Sequence, residues 1–389
     1  MNPALTGYYG IKERKRAIER ERQRGHGKGR GCGGGWGWGA MEVQNFANSQ
    51  GLSALQSKAV LMDFEPPFQG TCKTLLQNPT HYHDKPSDVD ECELPVIDLN
   101  NLKFGHTERE KIVSEVAQAA SQWGFFQVVN HGVSQEVVNN MQYEQKRLFR
   151  QPFPKKVEHN LLNLSANSYR WGNPEATCLK QFSWSEAFHI STTEIPTMKT
   201  EHKSLRSTIE AFVKTVSGLA RSLAEILAQP LGIKPVYFEE NCPARTSYLR
   251  LNRYAPCPFS SQVYGLISHT DTDFLTIVYQ DQVGGLEIYR DGRWLGVKPN
   301  PEALIVNIGD FFEALSNGIY KSIKHRVVTS QKVERFSVAY FYCPSYDVVI
   351  KSCGKPALYR QFTLREYKQQ TQIDVQEIGE KVGLSRFLL

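Results

Sequence analysis

The chain has 389 residues and a formal net charge of +6. The whole excess sits in residues 1–40, where nine Lys/Arg meet three Glu, while the other 349 residues carry 37 charges of each sign. The body has no excess charge to offer a polyanion, and no run approaches the roughly 18 to 20 apolar residues of a membrane helix.

Hydrophobic content of 40% and charged content of 22% are ordinary for a soluble globular protein. No apolar stretch follows the basic N-terminus, which argues against a secretory signal. The eight Cys form no Cys-x-x-Cys pair. They read as reduced intracellular thiols rather than a disulfide framework or a zinc site. Residues 25–39 hold nine Gly among Arg, Lys and two Trp. Such a segment cannot bury enough apolar surface to offset its ordering entropy. Residues 1–61 are therefore expected to be a disordered, basic, Gly-rich extension, and RNA binding by it is the weaker alternative. Met41 and Met62 offer alternative starts.

Order is expected from the apolar strand Leu94 to Leu99. Thr107 and Glu110 form a capping-box pattern before a helix with Ile112, Val113, Val116 and Ala120 on one face, ended by Gly124. Phe125 to Val129 reads as a strand, closed by Asn130-His131-Gly132. A second helix follows from about Ser134 to Arg150, and a third carries Leu205, Ile209, Phe212, Val216, Leu219, Leu223 and Leu227. From Leu249 to about Ile350 short β-rich runs recur, with Asp291-Gly292 as a hairpin turn. Thr363 and Glu366 then cap a last helix. The layout predicts helices, an antiparallel sandwich or barrel, and a closing helix.

His269-Thr270-Asp271 falls in the strand-like run Leu266 to Tyr279, and His325 in the run Ser322 to Thr329. Residues i and i+2 of a strand share a face, so His269 and Asp271 are expected to point together into the barrel. Two imidazoles and one carboxylate make a facial triad that suits non-haem Fe(II). The bland reading is a hydrogen-bonded core histidine. Arg335 and Ser337 share a face of the apolar run Phe336 to Phe341. A guanidinium there needs a partner, either a bound dicarboxylate or an internal Asp or Glu.

Together these residues resemble the plant Fe(II)/2-oxoglutarate-dependent dioxygenases. The resemblance rests on Asn252-Arg253-Tyr254-Ala255-Pro256, His269-Thr270-Asp271, Gly284-Gly285-Leu286, His325-Arg326 and Arg335-Phe336-Ser337. Trp123-Gly124-Phe125-Phe126 and Asn130-His131-Gly132 match the N-terminal half of that family. It implies a mainly β fold with flanking α-helices around a double-stranded β-helix (jelly roll) core. The implied division is 62–240 as a mostly helical N-terminal region, 241–350 as the jelly roll and 351–389 as a C-terminal helical segment. Carried over by position, His269, Asp271 and His325 would bind Fe(II). Arg335 and Ser337 would hold the distal carboxylate of 2-oxoglutarate, with Tyr254 and Asn252 assisting. Dioxygen is the other co-substrate, and ascorbate would keep the iron reduced.

Finer stretches are similar to gibberellin 2-oxidases of the subgroup acting on twenty-carbon gibberellins. They are Tyr169-Arg170-Trp171-Gly172-Asn173-Pro174, Gln181 to His189, and Glu334 to Phe341. A Trp and Glu shared with gibberellin 20-oxidases recur at Trp184 and Glu186, without that group's Lys. The resemblance implies 2β-hydroxylation that inactivates a gibberellin, in the cytoplasm or alternatively the nucleus, with no membrane or nucleic-acid partner. Relatives in that subgroup begin near the position of Met62. A rigid terpenoid acid needs an apolar pocket with a few placed polar groups. Trp184, Phe188, Phe274 and Tyr342 are the candidate walls and Arg170 the candidate carboxylate partner. The rivals are another gibberellin oxidase, a flavonoid-type dioxygenase, or a jelly-roll binding module without turnover.

Overall fold

In chain order the elements of the computed structural model are α1 (Phe68–Leu76), β1 (Glu91–Cys92), β2 (Val96–Asp98), α2 (His106–Gln122), β3 (Phe125–Val129), α3 (Gln135–Phe149) and α4 (Phe153–Val157). Then come β4 (Tyr169–Trp171), β5 (Glu186–Ser191), α5 (Lys203–Ala228), α6 (Val236–Asn241), β6 (Tyr248–Tyr254), β7 (Tyr264–His269) and β8 (Leu275–Gln280). The last are β9 (Leu286–Arg290), β10 (Arg293–Val297), β11 (Leu304–Ile308), α7 (Asp310–Leu315), β12 (His325–Val328), β13 (Arg335–Tyr342), β14 (Val349–Ile350), β15 (Phe362–Thr363) and α8 (Leu364–Ile378). Described are residues 64–77, 89–103, 105–158 and 161–389. They lie within the unit 56–389. The basic Gly-rich segment 1–61 lies outside the described residues.

Two sheets carry the architecture. The larger runs β2-β3-β11-β8-β13-β6-β5-β4 and the smaller β1-β10-β9-β12-β7. The fold is thus mainly β with flanking helices. β2 to β5 come from the helix-rich first half of the chain yet pair into the same large sheet as the later strands. Leu94, Phe125, Leu286, Ile288, Ile305 and Val327 form one buried cluster that joins residues of both sheets.

Strand alternation decides what each face does. On β13, Phe336, Val338, Tyr340 and Tyr342 belong to the main apolar core with the helices. The stripe Leu205, Ile209, Phe212, Val216, Leu223 and Leu227 makes α5 the hub of that core. Burying each such side chain stabilises by roughly 1.5 to 3 kcal/mol. The opposite parity, Arg335, Ser337, Ala339 and Phe341, faces a cavity.

Most turn and cap signals hold. Asp291 and Gly292 adopt φ of 51° and 80°, and Arg290 pairs with Arg293. Thr363 Oγ1 accepts from the Glu366 amide, capping α8. The Thr107–Glu110 box does not form, because α2 begins earlier at His106, after Gly105, with no side-chain cap. Gly124 has φ of 64° and donates to the Ala119 carbonyl, which ends the helix as expected. The described thiols Cys72, Cys92, Cys178, Cys242, Cys343 and Cys353 form no disulfide.

Candidate active site

One cavity of about 320 Å³ gathers the chemistry. His269 ends β7 and His325 begins β12, and the two are cross-strand partners. Asp271 is not on a strand. It sits in the connection from β7 to β8, which belong to different sheets, so the two-residue strand argument gave the right neighbours through the wrong local structure. The chain must leave one sheet there, and the Asp310 amide holds the Asp271 carbonyl at 2.8 Å.

The three donor groups offer atoms within 4.8 Å of one another. Nε2 of His269 lies 3.6 Å and Nε2 of His325 3.8 Å from Asp271 Oδ1. Each Nδ1 faces a carbonyl, of Ile267 at 2.8 Å and of Ile323 at 3.1 Å. That contact puts the proton on Nδ1 and leaves Nε2 as the ligand atom. Asp271 Oδ2 accepts from Thr276 Oγ1 at 2.6 Å and Asn307 Nδ2 at 2.8 Å, which leaves Oδ1 for a metal. Burial, then the charge of His325, pushes the His269 imidazole well below its ordinary pKa. Burial would raise the Asp271 carboxyl, but His325, His269 and the bonds from Thr276 and Asn307 outweigh it and hold it low. A neutral His269 imidazole beside an ionised Asp271 carboxylate suits an Fe(II) site, so the residues fit the metal.

A brace lies behind this loop. Lys381 Nζ donates to the Thr270 carbonyl at 3.0 Å and Thr272 Oγ1 at 3.2 Å, and pairs with Asp310 Oδ2 at 2.7 Å. Asp310 also accepts from Ser322 and Tyr367.

Arg335 is 3% exposed and makes no ion pair among the described residues, so the internal-partner reading fails. Nη2 donates to Gln280 Oε1 at 2.7 Å, and the guanidinium lies over the Tyr254 ring at 4.9 Å. Nε and Nη1 are buried with no partner. Two orphaned donors on a fixed planar fork fit a carboxylate, so the cavity also fits 2-oxoglutarate. Ser337 stands opposite Asn252 and Arg335 opposite Tyr254, and Asn252 Nδ2 donates to Ser337 Oγ at 3.3 Å. Gln145 of α3 ties the Asn252 and Ser337 carbonyls together.

Arg170 lines the cavity. The four aromatic walls proposed from the sequence do not. Trp184 stacks on Phe68 at 5.0 Å in a separate cluster. Phe188 packs on Phe149 and Tyr169. Phe274 packs among Phe238, Phe311 and Phe312. Tyr342 has the core parity of β13 and lies near Phe238. Each is core because its strand position or its loop turns it away from the cavity. The walls are instead Phe125, Tyr248, Leu266, Val278, Leu286 and Phe341. A signal for the lining was present in the sequence: Tyr248, Arg250, Asn252 and Tyr254 alternate on β6, as do Thr276 and Val278 on β8.

Comparison with known proteins bears on the whole arrangement. Residues 245–344 match the 2OG-Fe(II) oxygenase superfamily, and residues 94–208 match the N-terminal family of non-haem dioxygenases in morphine synthesis. Gibberellin 2-beta-dioxygenase 8 of Arabidopsis thaliana is 52% identical over 336 residues, 83% of this chain and 98% of the relative. Gibberellin 2-beta-dioxygenase 7 of the same plant is 49% identical over 298 residues, 76% of this chain and 89% of the relative. The crystal structure of JOX2 in complex with 2OG, Fe and JA superposes with a TM-score of 0.63 at 30% identity, covering 75% of this chain and 88% of that one. The chain belongs to the 2OG-Fe(II) oxygenase superfamily and is an Fe(II)- and 2-oxoglutarate-dependent dioxygenase.

Proposed function

We propose that the enzyme hydroxylates gibberellins at carbon 2 on the β face, inactivating the hormone or its twenty-carbon precursors. The observation that carries this reading is 52% identity, over 98% of its length, to a gibberellin 2-beta-dioxygenase. The cavity supports it: apolar walls, a metal-ligand triad, one orphaned guanidinium and two further Arg side chains suit a rigid apolar acid.

In this reading His269, Asp271 and His325 would hold Fe(II), and the chemistry supplied there would be oxidation of one C–H to C–OH, with dioxygen consumed and 2-oxoglutarate converted to succinate and carbon dioxide. The protein's own residues position and shield. Arg335 and Ser337 take the distal carboxylate, while Tyr254 and Gln280 hold the guanidinium plane and Asn252 orients Ser337. Thr276 and Asn307 occupy Asp271 Oδ2, so the carboxylate offers one oxygen only. Phe125, Leu266, Val278 and Leu286 keep water from the reacting atoms. Ascorbate serves as the reductant that maintains Fe(II), and the enzyme works in the cytoplasm. Among the described residues no helix is long and apolar enough to cross a membrane. Residues 62–240 support the 241–350 core, and 351–389 brace it.

The test is incubation of anaerobically purified protein with Fe(II), 2-oxoglutarate and a gibberellin panel in air. The reading requires products one oxygen heavier, hydroxylated at carbon 2, with matching succinate. Succinate without a hydroxylated gibberellin would sink the substrate assignment and keep the iron chemistry.

A further inference from the structure

The cavity carries a second positive pole that the iron chemistry does not use. Arg250 lies on the same face of the large sheet as Arg335, opposite Ala339 on β13 and His189 on β5. Four residues of strand separate its row from the Arg335–Tyr254 row, about 13 Å at roughly 3.3 Å per residue. Arg170 pairs with Ala187, which shares a face of β5 with His189. Both guanidinium-bearing residues line the cavity.

Among the described residues neither cation is ion-paired. Among the described residues Arg250 makes no side-chain hydrogen bond or ion pair, and Arg170 only donates Nε to the Asn167 carbonyl at 3.2 Å. His189 is pushed down to about 4, by burial first and then by Arg170 and Arg250, so it adds no charge near neutral pH. Tyr248 stacks against His189 at 4.1 Å and against Phe341 at 4.5 Å, which gives this end of the cavity an aromatic floor. Two uncompensated guanidiniums beside such a floor are suited to an anionic group on an otherwise apolar ligand.

We infer that Arg250 and Arg170 form a carboxylate subsite that holds an acid group of the substrate at the end of the cavity remote from the 2-oxoglutarate anchor. This rests on the gibberellin reading, which supplies a rigid apolar acid. Arg335 takes the co-substrate, and Arg250 and Arg170 decide whether an apolar molecule enters as an acid.

The experiment is anaerobic equilibrium dialysis of the Fe(II)–2-oxoglutarate-loaded protein with a gibberellin and with its methyl ester. Wild-type protein should bind the ester roughly 10- to 100-fold more weakly, the loss of a charge-assisted contact. Arg250→Gln should bind acid and ester within about twofold of each other, and Arg250→Lys should keep part of the preference. Arg170→Gln, a change at an exposed position, is the second probe if Arg250→Gln fails to bind 2-oxoglutarate and so fails to fold. A wild-type acid-to-ester ratio retained in both Gln variants overturns the subsite. Equal binding of acid and ester by wild-type protein overturns it while sparing the gibberellin reading. Binding of neither ligand by wild-type protein sinks both.

Discussion

Arg335→Met separates a functional buried charge from a structural one. Two of the buried cations, Lys156 and Arg335, make the comparison. Lys156 and Glu186 form an ion pair with both side chains at 0% exposure, and Lys156 also donates to the Phe64 and Phe149 carbonyls. Breaking such a pair strands a charge and costs about 3 to 5 kcal/mol. Arg335 makes no ion pair among the described residues, and its Nε and Nη1 have no partner. Replacing it removes two unsatisfied donors, a gain of about 1 to 3 kcal/mol. It also removes the Gln280 bond and the contact over Tyr254, a loss of about 1 to 3 kcal/mol together. The terms nearly cancel, so the metal-free variant should melt within a few degrees of wild type. The functional effect is large. Wild-type protein loaded with metal and 2-oxoglutarate at a hundredfold excess over Kd gains about 2.7 kcal/mol, a rise in Tm of roughly 5 °C. Arg335→Met should show no such rise, and Arg335→Lys only part of it, because a point charge replaces the planar fork. The assay is a thermal melt with and without 2-oxoglutarate, beside Glu186→Gln as the paired control. A large loss of stability in Arg335→Met, with its 2-oxoglutarate response intact, would show that the residue is structural.

Other outcomes follow from the same geometry. His269→Ala and Asp271→Ala should abolish Fe(II) binding and turnover together, read by anaerobic metal titration; retained turnover refutes the triad. Fe(II) affinity should persist as pH falls past the ordinary imidazole value of about 6.5 and be lost only at lower pH. The sign follows because burial and His325 lower the His269 pKa, so its neutral, ligating form survives further into acid; loss of binding already at pH 7 would contradict this. Glu186→Gln should lower stability by about 3 kcal/mol or more, since Lys156 and Arg253 both rely on that carboxylate. An unchanged urea midpoint would refute the network. Gly309→Ala should disrupt the loop behind the triad, because its Cβ would meet the Asp273 carbonyl oxygen at 2.0 Å; wild-type iron affinity in that variant would exclude the clash.

Local pattern in the sequence determined a good deal. The helical stripe of α5, the Asp291-Gly292 turn and the Thr363 cap are decided by neighbours within a few residues, and all three form. The grouping of the candidate metal ligands was legible too, since His269, Asp271 and His325 are brought together. Tertiary structure decided the rest. Asp271 reaches the site from a crossover between sheets, which strand periodicity cannot express. Trp184, Phe188, Phe274 and Tyr342 carry the composition of a pocket wall but pack into core, because composition says nothing of which face of a strand meets the cavity. The +6 of the opening count lies in residues 1–40, while the charges around the site are single side chains. Whether each of those charges is neutralised depends on cross-strand register. Among the described residues, register leaves Arg335 and Arg250 without an ion pair and gives Arg253 three, and only long-range pairing fixes it.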